Sequence, residues 1–293
     1  MVKVSKLRCA PSWALLFVLF LSVAAVSTRA QPLDAQEVRV AETAFSKGAP
    51  TPNWVLPTNV PTTQLKAPVV LRLADTQIRV DPSRAYYVRR VIQVNDSGSL
   101  GQIGQYAIDF VPQYQKLHLH QLRVWRGGQT IDVLNQANIR FMQREAGLED
   151  GVVSGRVTAL ILIPGVRVGD SLEVAYTEEG SNPVFGDKQA QSAGWDQTEP
   201  VELRRVIYSF HKSRPMKWRL QSDQTHSADL APLEQEHGGM KRWIFSAHSL
   251  PATEPEPFVP QGWIPQRYLQ FSEWGHWNTV ALWASDLFPP VTV

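Results

Sequence analysis

Two histidines, His118 and His120, stand in the run KLHLHQLRVW. Residues two apart on a strand project to the same side of a sheet, and two imidazoles so placed could share one transition-metal ion. No third ligand stands at a telling spacing, and histidines on the solvated side of a strand need no metal. A metal-dependent enzyme built on this pair is therefore one reading, and ordinary outward-facing histidines the other. Two pairs of acids, Glu178-Glu179 and Glu254/Glu256, invite comparison with glycosidases. Their carboxylates must converge from separate elements, about 5 to 9.5 Å apart. Neighbouring acids in a turn and in a proline-rich segment read instead as solvated charge. Gly151-Val-Val-Ser154-Gly155 has one residue too many before its serine for a nucleophile elbow. Gly98, Gly101 and Gly104 recur every three residues, which is neither a dinucleotide fingerprint nor a phosphate loop. HExxH is absent. No catalytic residue, metal ligand or cofactor site is assigned, and none is expected.

The elements that would position such residues begin after a leader. Residues 1–30 combine Lys3, Lys6 and Arg8 with an apolar run from Trp13 to Val26 and the small residues Thr28 and Ala30 at −3 and −1 of a cut before Gln31. That layout predicts a secretory signal peptide, the alternative being an uncleaved anchor. The leader holds four of the 29 basic residues and no acid, so the remaining chain carries 25 basic against 27 acidic groups, a net charge of −2. Neither nucleic acid nor an anionic membrane surface is implied as a partner. The single cysteine, Cys9, lies in the leader, which leaves the rest without disulfide, thiolate ligand or cysteine nucleophile.

Residues 31–65 are punctuated by Pro50, Pro52, Pro57 and Pro61 and predict an extended segment pinned by Trp54-Val55. Residues 66–250 change to short alternating runs. Tyr86, Val88, Ile92 and Val94 share one parity, as do Tyr106, Ile108 and Phe110, the pattern of half-buried strands. In KLHLHQLRVW the parity of Leu117 and Leu119 gives way to that of Leu122 and Val124, which demands a bulge near His120-Gln121. A second slip separates Val201 and Leu203 from Val206, Tyr208 and Phe210. Further strands are expected at 217–221 and 240–245, and a helical turn near Leu134 to Phe141. The fold class predicted is mainly β: an antiparallel β-sandwich or two twisted packed sheets, with a short C-terminal helix.

Two features stand out within that frame. LILIPGVRVGDSLEVAYTEEG places Pro164-Gly165 and Gly169-Asp170 between two strands and predicts a structural hairpin, with Leu172, Val174 and Tyr176 facing the core and Glu173, Ala175 and Thr177 outward. Residues 251–293 open with five prolines, a semi-rigid linker, and continue into an aromatic helix after Ser272 as N-cap. Trp274, Trp277 and Trp283 mark it as a docking helix. Nine tryptophans follow the leader. As an exposed platform they would suit glycan or peptide; as core residues, Trp125, Trp218 and Trp243 would only pack.

The segments YAIDFVPQYQ (106–115), LRVWRGG (122–128), LIPGVRVGD (162–170) and Ser272-Glu-Trp274 resemble a family of unknown function that lies N-terminal to transglutaminase-like domains in bacterial envelope proteins, over roughly residues 66–250. The resemblance implies a β-rich periplasmic domain that positions a papain-like Cys-His-Asp domain, chemistry that needs an activated cysteine thiolate. None of the family's catalytic residues maps onto this sequence, which is read as ending where that domain would begin. The expected function is thus a non-catalytic periplasmic β domain that docks a transglutaminase-like domain or another envelope protein. The alternative is a free-standing envelope module binding glycan or peptide through exposed aromatics. The oligomeric state is left open.

Overall fold

The computed structural model describes residues 36–143, 151, 153–221, 230–254, 258 and 266–288; the leader expected at 1–30 and Glu256 lie outside them. Sixteen strands follow in chain order: β1 (Gln36–Glu37), β2 (Phe45–Lys47), β3 (Val69–Arg79), β4 (Ala85–Val94), β5 (Gln105–Phe110), β6 (Lys116–Arg126), β7 (Gln129–Asp132), β8 (Asn138–Gln143), β9 (Val157–Leu162), β10 (Ser171–Glu179), β11 (Ala190–Gly194), β12 (Val201–His211), β13 (Lys217–Gln221), β14 (Leu233–His237), β15 (Met240–Leu250) and β16 (Tyr268–Ser272). Among the described residues the α-helices are one turn, α1 (Leu100–Ile103), and α2 (Trp277–Leu287). The chain is mainly β with a short C-terminal helix, as its alternating pattern predicts.

The strands form three sheets rather than two. The long central sheet runs β14-β15-β12-β3-β4-β10-β6-β2, with β7 also on β6. Most neighbours are antiparallel, but β12–β3 and β2–β6 are parallel. A four-stranded sheet, β1-β8-β9-β5, and a three-stranded sheet, β11-β16-β13, complete the set. Each small sheet closes its own core on the central one. Val88, Ile92, Leu119, Leu122, Val124, Leu172, Val174 and Tyr176 pack with Ile108, Phe110 and Ile161. Ile78, Val206, Tyr208, Phe210, Trp243 and Phe245 pack with Leu269 and Phe271. Ala74 in the first core and Ile78 in the second share a parity along β3, so both small sheets cover the same face of the central sheet.

The seam between the cores holds a buried cation. Arg204 is 1% exposed and donates to the carbonyls of Ala74, Trp195, Gly194 and Arg205. Burial pulls its guanidinium down to about 9.

Register explains the parity slips. His120 is the extra residue of β6 against β10, since Gln121 faces Ala175 and Leu119 faces Tyr176. Arg72 is the extra residue of β3 against β4. Val201 accordingly lies in the first core and Val206 in the second, at opposite parity.

Two local expectations are corrected. Residues 138–143 form β8 rather than part of a helical turn, because Ile139 and Phe141 pack inward against the first core. The segment around Pro164-Gly165 and Gly169-Asp170 is no hairpin. β9 pairs with β5 and β8, and β10 with β4 and β6, so the two turns carry the chain from one sheet to another. Each of those strands is already flanked on both sides, which leaves no edge for the other.

Candidate functional site

The second face of the central sheet is polar, yet it is buried. Across five neighbouring strands the register aligns Arg205, Asp75, Arg89, Ala175 and Gln121 in one row. Asp75 receives both a guanidinium fork from Arg205, at 2.8 Å to each oxygen, and the Gln77 amide at 2.9 Å. Glu173 accepts from Arg89 at 2.8 Å and from the Trp125 indole at 2.8 Å. Glu173, Ala175 and Thr177 were expected to face solvent but are at most 3% exposed.

Their cover is the segment at 49–63, which lies across the face as a strap. Gln77 binds Leu56 twice, accepting from its N–H and donating to its carbonyl, both at 2.8 Å. Arg205 donates to the Leu56 and Pro57 carbonyls, Arg89 to that of Thr58, and Arg72 to that of Pro61. Trp54 stacks under the Arg79 guanidinium, centroid at 5.0 Å, and meets Tyr87 edge-on, so the pin expected at Trp54-Val55 is present. Both bulge residues serve the strap: Arg72 holds Pro61, and His120 holds Ala49.

His120 and His118 lie in parallel, centroids 6.5 Å apart. The Nδ1 of His120 sits 2.9 Å from the Ala49 carbonyl and its Nε2 2.7 Å from the Thr177 hydroxyl. A carbonyl only accepts, so Nδ1 carries the proton and Nε2 accepts from Thr177. Burial lowers the pKa of this imidazole. With both nitrogens engaged, His120 has no lone pair left for a metal. Among the described residues, no group of three His, Cys, Asp or Glu side chains comes together as metal ligands. His118 binds the Ser46 hydroxyl at 2.7 Å, with Glu179 3.8 Å from its other nitrogen. That order resembles a hydrolytic triad, but 3.8 Å exceeds a hydrogen bond, and no orienting carboxylate is in place.

The turn residues at 164–170 are tied by one arginine. Arg126 donates to both oxygens of Asp170, at 2.9 and 2.6 Å, and to the Gly165 carbonyl at 2.7 Å. Asp170 also accepts from the Arg167 N–H. The Arg126 guanidinium holds its carboxyl below the usual carboxylate value. Gly165 and Gly169 have φ of 72° and 88°, backbone that favours glycine.

Glu178 departs from its reading as solvated charge. It points toward the cores, where burial raises its carboxyl to about 7. Glu254 is exposed.

The C-terminal aromatics divide. Ser272 belongs to β16 rather than capping α2; His276 occupies the cap without a side-chain bond. Trp283 stacks on Phe185 at 5.4 Å, meets Trp274 at 5.6 Å, and donates to the Val184 carbonyl. Trp277 is 83% exposed, and Leu282, Leu287 and Phe288 are exposed beside it. Trp243 is a core residue, whereas Trp125 and Trp218 are half-buried.

A family described as a domain of unknown function with a solved structure (DUF3857) matches residues 81–254, more than half of the chain. Among solved structures, a protein from Parabacteroides distasonis described as a "putative protease" superposes with a TM-score of 0.60 at 15% identity. The alignment covers 71% of this chain and 41% of that one, which shows the fold alone. An M1 zinc metallopeptidase from Deinococcus radiodurans aligns over 70% of this chain and 42% of its own at 12% identity, with a TM-score of 0.36. The chain thus spans less than half the length of the solved structures it matches. No curated protein matches it by sequence.

Proposed function

The chain belongs to that domain-of-unknown-function family, and from this premise we propose that it is a non-catalytic β scaffold of the bacterial periplasm whose C-terminal helix docks a transglutaminase-like domain. The observation that carries the reading is α2. Its Trp283 side is anchored on Val184 and Phe185, while Trp277, Leu282 and Phe288 stand in solvent. Large apolar side chains grouped on one exposed element mark an interaction surface, and tryptophan at such a centre is a common energetic anchor. Support for a partner domain comes from the resemblance to proteins in which this β domain precedes a transglutaminase-like one. The Parabacteroides distasonis protein is in keeping with it, since this fold occupies 41% of a longer chain there. The periplasm is proposed from the leader at 1–30.

Mixing residues 31–293 with a transglutaminase-like domain from the same organism, followed by analytical ultracentrifugation, tests the reading. A one-to-one complex that W277D and L282D weaken at least tenfold is expected. Absence of a complex, or one indifferent to both substitutions, overturns it.

A further inference from the structure

Between the strap and the central sheet lies a cavity of about 250 Å³, walled by residues 51 and 55–58 of the strap and by Asp75, Tyr87, Arg89, Gln121 and Arg123 of the sheet. Asp75 is committed to Arg205 and Gln77, and Glu173 to Arg89 and Trp125. Arg123 stands opposite Glu173 on β10 and Asp132 on β7. Glu173 is fully engaged, and Asp132 caps the Leu134 N–H at 2.9 Å. Among the described residues the Arg123 guanidinium has no hydrogen-bond or ion-pair partner, although it is only half-exposed. The Gln121 amide and the Tyr87 hydroxyl, which line the same space, have no partner among the described residues either. Three residues with unengaged donors therefore line one cavity beside acids that already hold hydrogen bonds.

We propose that this cavity binds a small carboxylate, gripped by Arg123 with Gln121 and Tyr87 as further donors. The guanidinium fork matches a carboxylate in two parallel hydrogen bonds. The two neighbouring pairs, Asp75–Arg205 and Glu173–Arg89, are internally neutral, and the acids Glu173 and Asp132 stand opposite Arg123 without pairing with it, so a single carboxylate suits the site better than a phosphate dianion. The volume is smaller than that of sites for drug-sized ligands, and it suits a few heavy atoms. Burial pushes the Tyr87 hydroxyl up to about 12, which keeps it a donor at any physiological pH. The strap is the roof, so its carbonyl contacts at Leu56 to Thr58 set how the ligand enters. The ligand is either a free small acid or the C-terminal carboxylate of a peptide whose end slips beside the strap.

Calorimetric titration of residues 31–293 with propionate, with N-acetyl-alanyl-alanine and with the C-terminal amide of that dipeptide separates the sources. Binding of both acids but not the amide supports the site and assigns it to free carboxylates. Binding of the dipeptide acid alone supports it and assigns it to peptide ends. R123Q is expected to weaken either acid at least tenfold, with R123K intermediate because the charge stays and the fork is lost. Should R123Q unfold, R123K and the acid-against-amide comparison still decide. Equal binding of acid and amide, undiminished binding to R123Q, or no heat from any ligand up to about 10 mM, a range that reaches weak millimolar affinities, overturns the proposal.

Discussion

The two faces of the central sheet solve the same burial problem by opposite chemistry. One face is covered by two small sheets, and its contacts are apolar: Phe271 stacks on Tyr208 at 4.1 Å, and Leu119, Leu122 and Val174 are wholly buried. The other is covered by a single extended segment, and its contacts are ion pairs and side-chain bonds to strap carbonyls. Apolar contact is non-directional and scales with area, so it suits sheet on sheet. A proline-rich strap has little area to offer and few N–H groups for a ladder. It is held mainly through its carbonyls, which arginines and a glutamine reach from the sheet, with the Leu56 N–H and the Trp54 ring as further anchors. The consequence is a division of labour. The apolar face should dominate stability, and the polar face should govern where the strap lies.

The sharpest way to break this comparison is a large-to-small change in the second core. Phe271→Ala removes a wholly buried ring between Tyr208 and Phe245 and is expected to cost about 4 kcal/mol, transfer and cavity together. Urea unfolding followed by circular dichroism measures it. A loss below about 1 kcal/mol would mean that the small sheet is not sealing a core there.

On the polar face, Glu173→Gln should cost less, about 2 kcal/mol. It keeps the shape but strips the charge from a carboxylate that is fully buried and bound by Arg89 and Trp125, leaving Arg89 without its counter-ion and one of the two donors facing the amide NH2. The same denaturation experiment ranks it below Phe271→Ala. A reversed order would make the ion pairs, not the cores, the main support of the sheet.

How much of this was legible in the sequence follows from the same contrast. The apolar face is periodic, so Tyr86 to Val94, Leu172 to Tyr176 and the bulge at His120 could be read from parity alone. The strands at 217–221 and 240–245 are equally plain, although the second runs on to Leu250. The polar face has no such signature. Glu173, Ala175 and Thr177 alternate like a solvated face, and what buries them is a segment about 120 residues away. Its grip uses Gln77, Arg89 and Arg205, which are ordinary surface residues by type. The turns at 164–170 misled for a related reason: two turns between two strands fit a hairpin as well as a passage between sheets, and only the flanking of β9 and β10 by other partners decides. A cavity lined by one unpaired arginine leaves no mark on composition at all.

Gln77→Ala should separate strap from sheet with a smaller effect, about 1.5 kcal/mol, because it deletes two neutral bonds to Leu56 and one to Asp75, whose carboxylate keeps the Arg205 fork. Its distinctive readout is local. Amide exchange at Leu56 should speed up strongly while amides in β12 and β16 keep their protection. Uniform acceleration across all three would show that the strap and the cores unfold as one unit.

The last test concerns an acid that breaks the pattern by pointing to the apolar side. Glu178 titrates near 7 in the folded chain because burial disfavours its charge, against roughly 4.3 when unfolded. Between those values the native state holds more protons than the unfolded one, so stability must fall as pH rises toward 7. Asp170 has the opposite sign: held low by Arg126, it stabilises above about pH 4 and withdraws support below that value. Thermal unfolding from pH 3 to 8 should therefore give a maximum near pH 4, between the unfolded values of the two acids, as far as these two groups set it. Glu178→Gln should flatten the descent on the alkaline side and leave the acid side untouched. A descent unchanged in the glutamine variant would place the titrating group elsewhere, and Glu178 would then be as solvated as its sequence neighbours suggest.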